Sequence, residues 1–313
     1  NCIPGRISAV GDTLVEIKVS IEETSFLIDN VVVTANKYAT KQKEVATIVN
    51  VVSPLIIEST ASNSMADVLN FQTGLRVEET CSNCGVPQIR INGLEGQYTQ
   101  ILMDSRPIFS SLASVYGLEQ LPAGMVDRIE VIRGGGSALY GANAIAGVVN
   151  IITKEPTRNF FNVSNSSAFT EQGTYDINTN LNASVVAENQ KAGIYLFGVQ
   201  RNRQQYDRDE DGFSDIPHLN STTAGFRSFF KTSEYSKLTA EYHHTTEYRR
   251  GGYGIDSLQP HESPLCEQLR HNIDAATAKW DMYTADSRHF ISAYTSFQHI
   301  GRDSYFGTNM NPN

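Results

Sequence analysis

The sequence predicts an α+β unit followed by a run of antiparallel β-strands of barrel type, on three observations. The first is the glycine-dense run Arg133-Gly134-Gly135-Gly136-Ser137-Ala138-Leu139-Tyr140-Gly141, closed by the small and apolar segment Ala144-Ile145-Ala146-Gly147-Val148-Val149-Asn150-Ile151-Ile152-Thr153. Glycine admits φ > 0 and close backbone approach at an entropic cost, so this density belongs to a tightly wound structure. The second is the mixture of helical and strand periodicity from Ala46 to Pro156. The third is the alternation that takes over after Pro156, clearest in Asp176-Ile177-Asn178-Thr179-Asn180-Leu181-Asn182-Ala183-Ser184-Val185. Apolar and polar residues there occupy opposite faces of a strand.

At 313 residues the chain exceeds one average domain. A net charge of -9 argues against a nucleic-acid partner. No stretch is long and apolar enough for a membrane-spanning helix. Barrel strands carry only a weak alternating signal and are compatible with that absence. The opening Asn1-Cys2-Ile3-Pro4 has neither Met nor a basic-then-apolar leader, so the chain is expected to be trimmed at that end.

Residues 1–28 contain the strand-like runs Leu14-Val15-Glu16-Ile17-Lys18-Val19 and Ser25-Phe26-Leu27-Ile28. They read as the tail of a small β-domain. Asp29-Asn30-Val31-Val32-Val33-Thr34-Ala35 follows, with three β-branched residues in a row that favour extension, before a polar linker from Asn36 to Lys43. It suits either a buried strand or an exposed one awaiting a partner. In the α+β unit, Ser64-Met65-Ala66-Asp67-Val68-Leu69-Asn70-Phe71 reads as a short capped helix ended by Gly74. Strands are expected over 75–78, 88–93 and 99–104, a turn at Asp104-Ser105-Arg106-Pro107, a helical turn over 118–125, and a strand over 126–133.

Beyond Pro156, further strands are read at 193–201, 224–230, 238–243, 276–282 and 289–299. A soluble sandwich shows the same alternation and is the commoner source of it. The connections decide against it. They are short at Glu188-Asn189-Gln190 and Ser233-Glu234 but long at 202–220 and 249–270, the habit of outer-membrane barrels.

The wording of Met65-Ala66-Asp67-Val68-Leu69, Thr73-Gly74-Leu75-Arg76-Val77, Ile89-Arg90-Ile91-Asn92-Gly93, Ile101-Leu102-Met103-Asp104-Ser105-Arg106-Pro107, Val126 to Gly134 and the glycine run resembles the plug domain of TonB-dependent outer-membrane receptors. The departures are Asn92-Gly93 where the family more often has Arg-Gly, and Asp104-Ser105 where it has Asp-Gly. The resemblance implies a remnant of a carboxypeptidase-regulatory-like β-sandwich at 1–28, a TonB box and linker at 29–43, a plug at 44–156 and barrel strands at 157–313. A plugged barrel of this family has about 22 strands. At about ten residues a strand, the residues after Pro156 hold about six to eight, so an incomplete barrel is expected.

The resemblance further implies that Asn30, Val31, Val32, Val33, Thr34 and Ala35 bind TonB, the partner energised from the inner membrane. Asn83, Phe109, Ser110, Ser111 and Tyr116 fall where apical plug loops hold a ligand. The implied location is the outer membrane of a Gram-negative bacterium, with the TonB box facing the periplasm. The implied cargo is cobalamin or a ferric chelate (haem or siderophore). The rivals are a glycan or peptide importer served by a surface lipoprotein, and a β-rich binding or adhesion protein. Cys81 and Cys84 allow a disulfide stiffening the loop, half of a zinc site, or a redox pair, and the envelope location favours the disulfide.

No cofactor is required by this reading, but the acidic loop Asp207-Arg208-Asp209-Glu210-Asp211-Gly212-Phe213-Ser214-Asp215 offers oxygen ligands at alternate positions around a glycine. That suits Ca²⁺, with Asp207, Asp209, Asp211 and Asp215 as ligands and Asp256 as a further one, and it equally suits a solvated acidic loop. Cobalamin receptors of the resembled family carry calcium-binding aspartates in a comparable place. His243, His244, His261, His271, Arg249 and Arg250 are read as scattered over the first barrel loops, available to a haem or an anionic chelate. No nucleophile elbow, metalloprotease helix or lysine-bearing phosphate loop is present, so no enzyme is expected.

Overall fold

The computed structural model describes residues 31–32, 34, 40–41, 45, 47–59, 65–70, 72–79, 85, 87–107, 123–284, 286 and 288–307. The β-domain remnant expected at 1–28 lies outside them. Two small strands, β1 (Val31–Val32) and β2 (Thr40–Lys41), pair antiparallel. Next come β3 (Val49–Val52), α1 (Pro54–Ser59), α2 (Met65–Asn70), β4 (Leu75–Glu79), β5 (Pro87–Ile91), β6 (Thr99–Met103), β7 (Arg106–Pro107), β8 (Val126–Arg133), α3 (Ser137–Tyr140) and β9 (Gly147–Thr153). Five of them form a mixed sheet in the order β3-β8-β9-β6-β7, in which only β6 and β9 run parallel. β4 and β5 make a separate hairpin.

The reason α2 is a helix is visible in its burial. Met65, Val68 and Leu69, at i, i+3 and i+4, are buried and join one core cluster with Ile129, Val149 and Ile151 of β8 and β9. Of the helical turn expected over 118–125, the described part is the short 3₁₀ segment Ala123–Met125. The glycine run folds back on itself around α3. Gly134 and Gly141 take φ of +84° and +92° on either side of it. At Gly147 an added Cβ would sit 2.3 Å from the Ile132 carbonyl, so only glycine lets β9 lie this close to β8.

The rest is one seven-stranded antiparallel sheet in sequence order. Its strands are β10 (Phe160–Phe169), β11 (Tyr175–Val186), β12 (Ala192–Arg203), β13 (His218–Ser233), β14 (Ser236–Gly252), β15 (Cys266–Tyr283) and β16 (Phe290–Gly307). Seven strands agree with the number expected, but they are longer than ten residues from β11 onward and reach 18 in β15 and β16. At about 3.3 Å per residue, the longest run roughly 60 Å and extend well past a hydrocarbon layer of about 30 Å. The connections at 204–217 and 253–265 are correspondingly shorter than the sequence implied, because β12, β13, β14 and β15 absorb their ends. β10 went unrecognised in the sequence, because Asn162 and the serine-rich stretch after it dilute its alternation.

The two faces of this sheet are inverted relative to a soluble protein. Along β14, Thr239, Glu241, His243, Thr245, Glu247 and Arg249 are buried, whereas Leu238 and Tyr242 are exposed. The same holds for buried Asn178, Asn182 and Ser184 against exposed Leu181 and Val185 on β11. Phe161, Val163, Ile194, Leu196, Phe230 and Trp280 extend the exposed apolar surface. A contiguous apolar face of this extent suits lipid rather than water. It decides between the barrel and the soluble sandwich.

The polar face is buried because the α+β unit sits against it. Tyr195 and Phe197 of β12 enter the plug-side core, and the Tyr195 hydroxyl donates to the Gly124 carbonyl at 2.7 Å. The main tie is Arg227 of β13. It reaches Asp104 and Thr153 of the α+β unit and Glu241 of β14, the last at 3.1 Å. Arg106 adds a second cation 3.8 Å from Asp104. Burial alone would raise the Asp104 carboxyl, but Arg227, the Thr153 hydroxyl and Arg106 outweigh it and hold the group below its ordinary value. At the sheet's end, Lys237 binds Glu155 at 2.9 Å.

Replacing Asp104 by Ala removes the plug's carboxylate from Arg227, which keeps Glu241 at 3.1 Å and Glu155 at 3.5 Å, and is expected to cost about 1–3 kcal/mol in unfolding free energy of the full-length protein in detergent. Because the folded pKa of Asp104 is depressed, its contribution is fully present above its ordinary value of 3.8 and is lost as pH falls through the lower folded value. The difference in stability between wild type and Asp104→Asn should therefore stay flat from neutral pH to about 5 and shrink only below 4. A difference that collapses already at pH 6 would show that this carboxylate is not the tie described.

Candidate functional site

Functional side chains gather in three places: the rim of long loops, the polar face beneath it, and the N-terminal segment on the opposite side of the mixed sheet. At the rim, 204–217 and 253–265 join into one unit. Tyr206 bridges Ile216, Phe213 bridges Tyr253, and the Phe213 and Tyr253 rings meet at a tilt of 60° with centroids 5.1 Å apart. The acidic stretch is shaped by its own aspartates. Asp207 accepts from the backbone N–H groups of Glu210 and Gly212, and Asp215 accepts from that of Arg208, each at 2.8 Å. Glu210 and Gly212 take φ of +61° and +90° to close the turn.

Asp207, Asp209 and Asp215 can each place one carboxylate oxygen within 4.8 Å of the others. Asp211 and Asp256, the other two residues of the set expected from the sequence, stand outside this group. Asp211 accepts from the Phe213 N–H at 2.8 Å, and Asp256 is engaged by the Gln205 amide. Turn formation draws the side chains of Asp211 and Asp256 to partners within the loops. Three convergent carboxylates are a donor set of the hard-oxygen kind that Ca²⁺ takes.

Beneath the rim, Arg249 of β14 donates from Nη1 to the Gly85 carbonyl at 2.5 Å. An added Cβ at Gly85 would lie 2.6 Å from Pro217, so the plug backbone is pressed between the barrel wall and the long loop. Glu247 faces both Arg249, at 3.6 Å, and His271 of β15, at 3.4 Å, and all three side chains are 1% exposed. The expectation that Arg249, Arg250, His243, His244 and His271 sit on loops is thereby corrected. Four lie on β14 and one on β15, and only His261 is in a loop. Arg249 and His271 are sealed inside, and of the two it is Arg249 that reaches the plug, at Gly85. Nothing in the sequence near Arg249 points to Gly85, 164 residues away.

Asn83, Phe109, Ser110, Ser111 and Tyr116, and the pair Cys81 and Cys84, lie outside the described residues. Cys266, at the start of β15, is buried and free. A cavity of about 1020 Å³ opens between the mixed sheet and the polar face. It is lined by Asp104, Arg106, Tyr195, Arg227 and Glu241 and by Glu155 near the short-turn rim. It is therefore space alongside the plug and lies away from the long-loop rim.

Of the two readings open to the N-terminal segment, buried or exposed, the buried one describes Thr34, which is 0% exposed. Glu130 of β8, Tyr140 of α3 and Asn150 of β9 all bond that one residue.

No helix among the described residues is long and apolar enough to cross a membrane, which says nothing about strands. The family model for the TonB-dependent receptor plug domain matches residues 41–148. Among curated relatives, the chain is 37% identical over 125 residues to the vitamin B12 transporter BtuB of Vibrio vulnificus (strain CMCP6), covering 40% of this chain and 20% of that one. It is 28% identical over 126 residues to the BtuB of Vibrio cholerae serotype O1 (strain M66-2), covering 40% and 21%. The chain thus spans about a fifth of the length of these two relatives. Among solved structures, the FpvAI–pyocin S2 complex superposes with a TM-score of 0.69 at 13% identity, over 89% of this chain and 38% of that one. The copper transporter OprC does so with a TM-score of 0.60 at 16% identity, over 80% and 37%. At such identities the likeness is one of fold.

Replacing Arg249 by Met keeps most of the volume but leaves Glu247 buried beside an apolar chain. The expected loss is about 2–4 kcal/mol of unfolding free energy, with faster proteolysis around Gly85. Unchanged proteolysis at that segment would show that Arg249 does not anchor the plug.

Proposed function

We propose, for a chain that carries a TonB-dependent receptor plug domain seated on the polar face of a partial barrel, that the protein is an outer-membrane receptor importing a scarce chelate, cobalamin or a ferric complex, with energy delivered by TonB. The observation that carries this reading is the inverted sheet. Its apolar outside suits lipid and its charged inside faces the plug, so a polar path along that inner face is one the plug obstructs. On this reading the long-loop rim faces the exterior and the short-turn rim faces the periplasm.

Ligand binds at the exterior rim, over the plug stretches that carry Asn83, Phe109, Ser110, Ser111 and Tyr116. The segment Asn30 to Ala35 then serves TonB as an added strand. Pulling on it shifts the plug against its ties at Arg227 and Arg249, and ligand passes along the cavity beside Asp104 and Glu241. Such coupling requires the ligand to bind the signalling-competent state better than the resting one. Cobalamin stands first among the cargoes, because the relatives matched through the plug are named vitamin B12 transporters. A calcium ion held by Asp207, Asp209 and Asp215 fits this reading as a brace for the exterior loops: it would neutralise three converging carboxylates. A Cys81–Cys84 disulfide would stiffen the neighbouring plug loop in the same way.

The test is calorimetric binding of cyanocobalamin, haemin and a set of ferric siderophores to the full-length receptor in detergent, with calcium and with chelator. One of them is expected to bind tightly. Loss of binding in chelator, reproduced by Asp209→Asn in calcium, would assign the acidic loop as its brace. Failure of every cargo would move the assignment to a glycan or peptide importer with a surface lipoprotein.

A second expectation separates binding from transport. Val32→Pro removes a backbone donor from the segment that TonB would pair with. It should abolish energised uptake by whole cells while leaving ligand affinity within about twofold. Uptake at the wild-type rate would exclude this segment as the TonB contact.

A further inference from the structure

The cavity beside the plug has a neutral side and a charged side. Along β10 and β11, Asn162 faces Asn182, Ser164 faces Asn180, and Ser166 faces Asn178. Directly opposed residues of an antiparallel pair share a face, so these six make three successive rungs of one strip. All six line the cavity, and none carries a charge. An Asn amide both donates and accepts, and so does a Ser hydroxyl, so each rung can meet a ligand group of either polarity. The rungs lie two residues apart along a strand, about 7 Å. At about 1020 Å³ the cavity stands at the upper end of sites that hold a small molecule.

The charged groups lie elsewhere around the cavity, engaged with one another. Arg227 meets Asp104, Glu241 at 3.1 Å and Glu155 at 3.5 Å. Arg128 meets Asp127 and Glu130, each at 2.9 Å, and Lys279 meets Asp281 at 2.8 Å. Among the described residues, the ion pairs joining the α+β unit to the wall are made by Arg227 of β13 and Lys237 of β14. The strip on β10 and β11 therefore stands to one side of those ties. It meets the plug at Asn182. An added Cβ at Gly124 would sit 2.8 Å from the Asn182 amide nitrogen, and the Tyr195 hydroxyl lies 2.7 Å from the Gly124 carbonyl and 2.8 Å from Asn182 Oδ1. Lys154 and Arg158 also line the cavity, which makes an anionic chelate the rival occupant.

We propose that the β10–β11 strip is an inner binding site, separate from the exterior rim, for an uncharged ligand rich in amide and hydroxyl groups. A charged wall would hold an opposite charge or repel a like one, the more strongly the less water the space contains. A neutral strip exchanges one hydrogen bond for another as a ligand moves from rung to rung. An anion finds no cation on it, and giving up its water there is costly. That the ligand is a cargo on its way past the plug rests on the import reading above. The chemistry of the strip does not.

The test is protection of an introduced thiol. Ser164→Cys in the full-length receptor in detergent is labelled with a neutral maleimide, and the wild type supplies the background of the native cysteines. Cyanocobalamin at millimolar concentration, uncharged and rich in amides, should slow labelling about five- to tenfold, and ferric citrate at the same concentration by less than about twofold. Asn180→Asp, which keeps the volume, should abolish that protection. It should also lower energised uptake of cyanocobalamin by whole cells about tenfold, with affinity at the exterior rim within about twofold. Asn162→Asp on β10 repeats the test at a second rung. Labelling slowed by ferric citrate and not by cyanocobalamin would overturn the ligand class, and labelling slowed by neither would overturn the site. Protection lost in Asn180→Asp with uptake unchanged would overturn a role in passage. Protection by cyanocobalamin with no energised uptake in the wild type would leave the strip standing and sink the import reading instead.

Discussion

The structure depends on one constraint: a sheet that is apolar on its outside and charged on its inside must have something polar to close against. Glu241, His243, Glu247, Arg249 and His271 are buried on one face of the strands, and the Arg227 side chain beside them is 11% exposed. Leaving such groups without partners in a low-dielectric interior is costly, and pairing them within the sheet only partly answers the cost. The α+β unit completes the arrangement. It supplies Asp104 and Thr153 to Arg227 and the Gly85 carbonyl to Arg249. Around Arg227, three cations, Arg106, Arg227 and Lys237, face three carboxylates, Asp104, Glu155 and Glu241, so opposite charges meet across the boundary between plug and wall.

That manner of attachment differs from a hydrophobic seam. Apart from Tyr195 and Phe197, which enter the plug core, the ties to the wall named above are hydrogen bonds and ion pairs at separate points. Discrete polar contacts are directional and fail over short displacements, while an apolar seam loses energy gradually with area. A plug held this way can stay fixed at rest yet be dislodged by breaking a few contacts in turn. The same logic reaches the N-terminal segment, where a single threonine shares four hydrogen bonds with three side chains.

Much of the fold was legible. The spacing of Met65, Val68 and Leu69 marked α2, and the alternation of Val126 to Arg133 and of Asp176 to Val185 marked β8 and β11. The glycine run announced a tight turn, and Gly147 shows why: the Ile132 carbonyl leaves no space for a side chain. β10 escaped notice because its run of serine and asparagine lacks a clean apolar beat. Strand lengths escaped for a different reason. Each strand continues beyond its alternating centre, held by its neighbours' backbone bonds, which no side-chain pattern records.

The candidate sites divide in the same way. The acidic loop was visible as a cluster in the chain, but which aspartates converge is decided by turns that pull Asp211 and Asp256 to other donors. The contacts of Thr34 with Glu130, Tyr140 and Asn150 span 96, 106 and 116 residues, and that of Arg227 with Asp104 spans 123. By itself the sequence determined the order of elements, the two-faced character of the strands and the resemblance of the plug, because these reside in local periodicity and wording. Only the tertiary structure decided that the polar face is the buried one, that Arg249 and His271 are sealed within it, and that Thr34 is buried. Periodicity records which residues share a face, and it carries no record of what that face will meet.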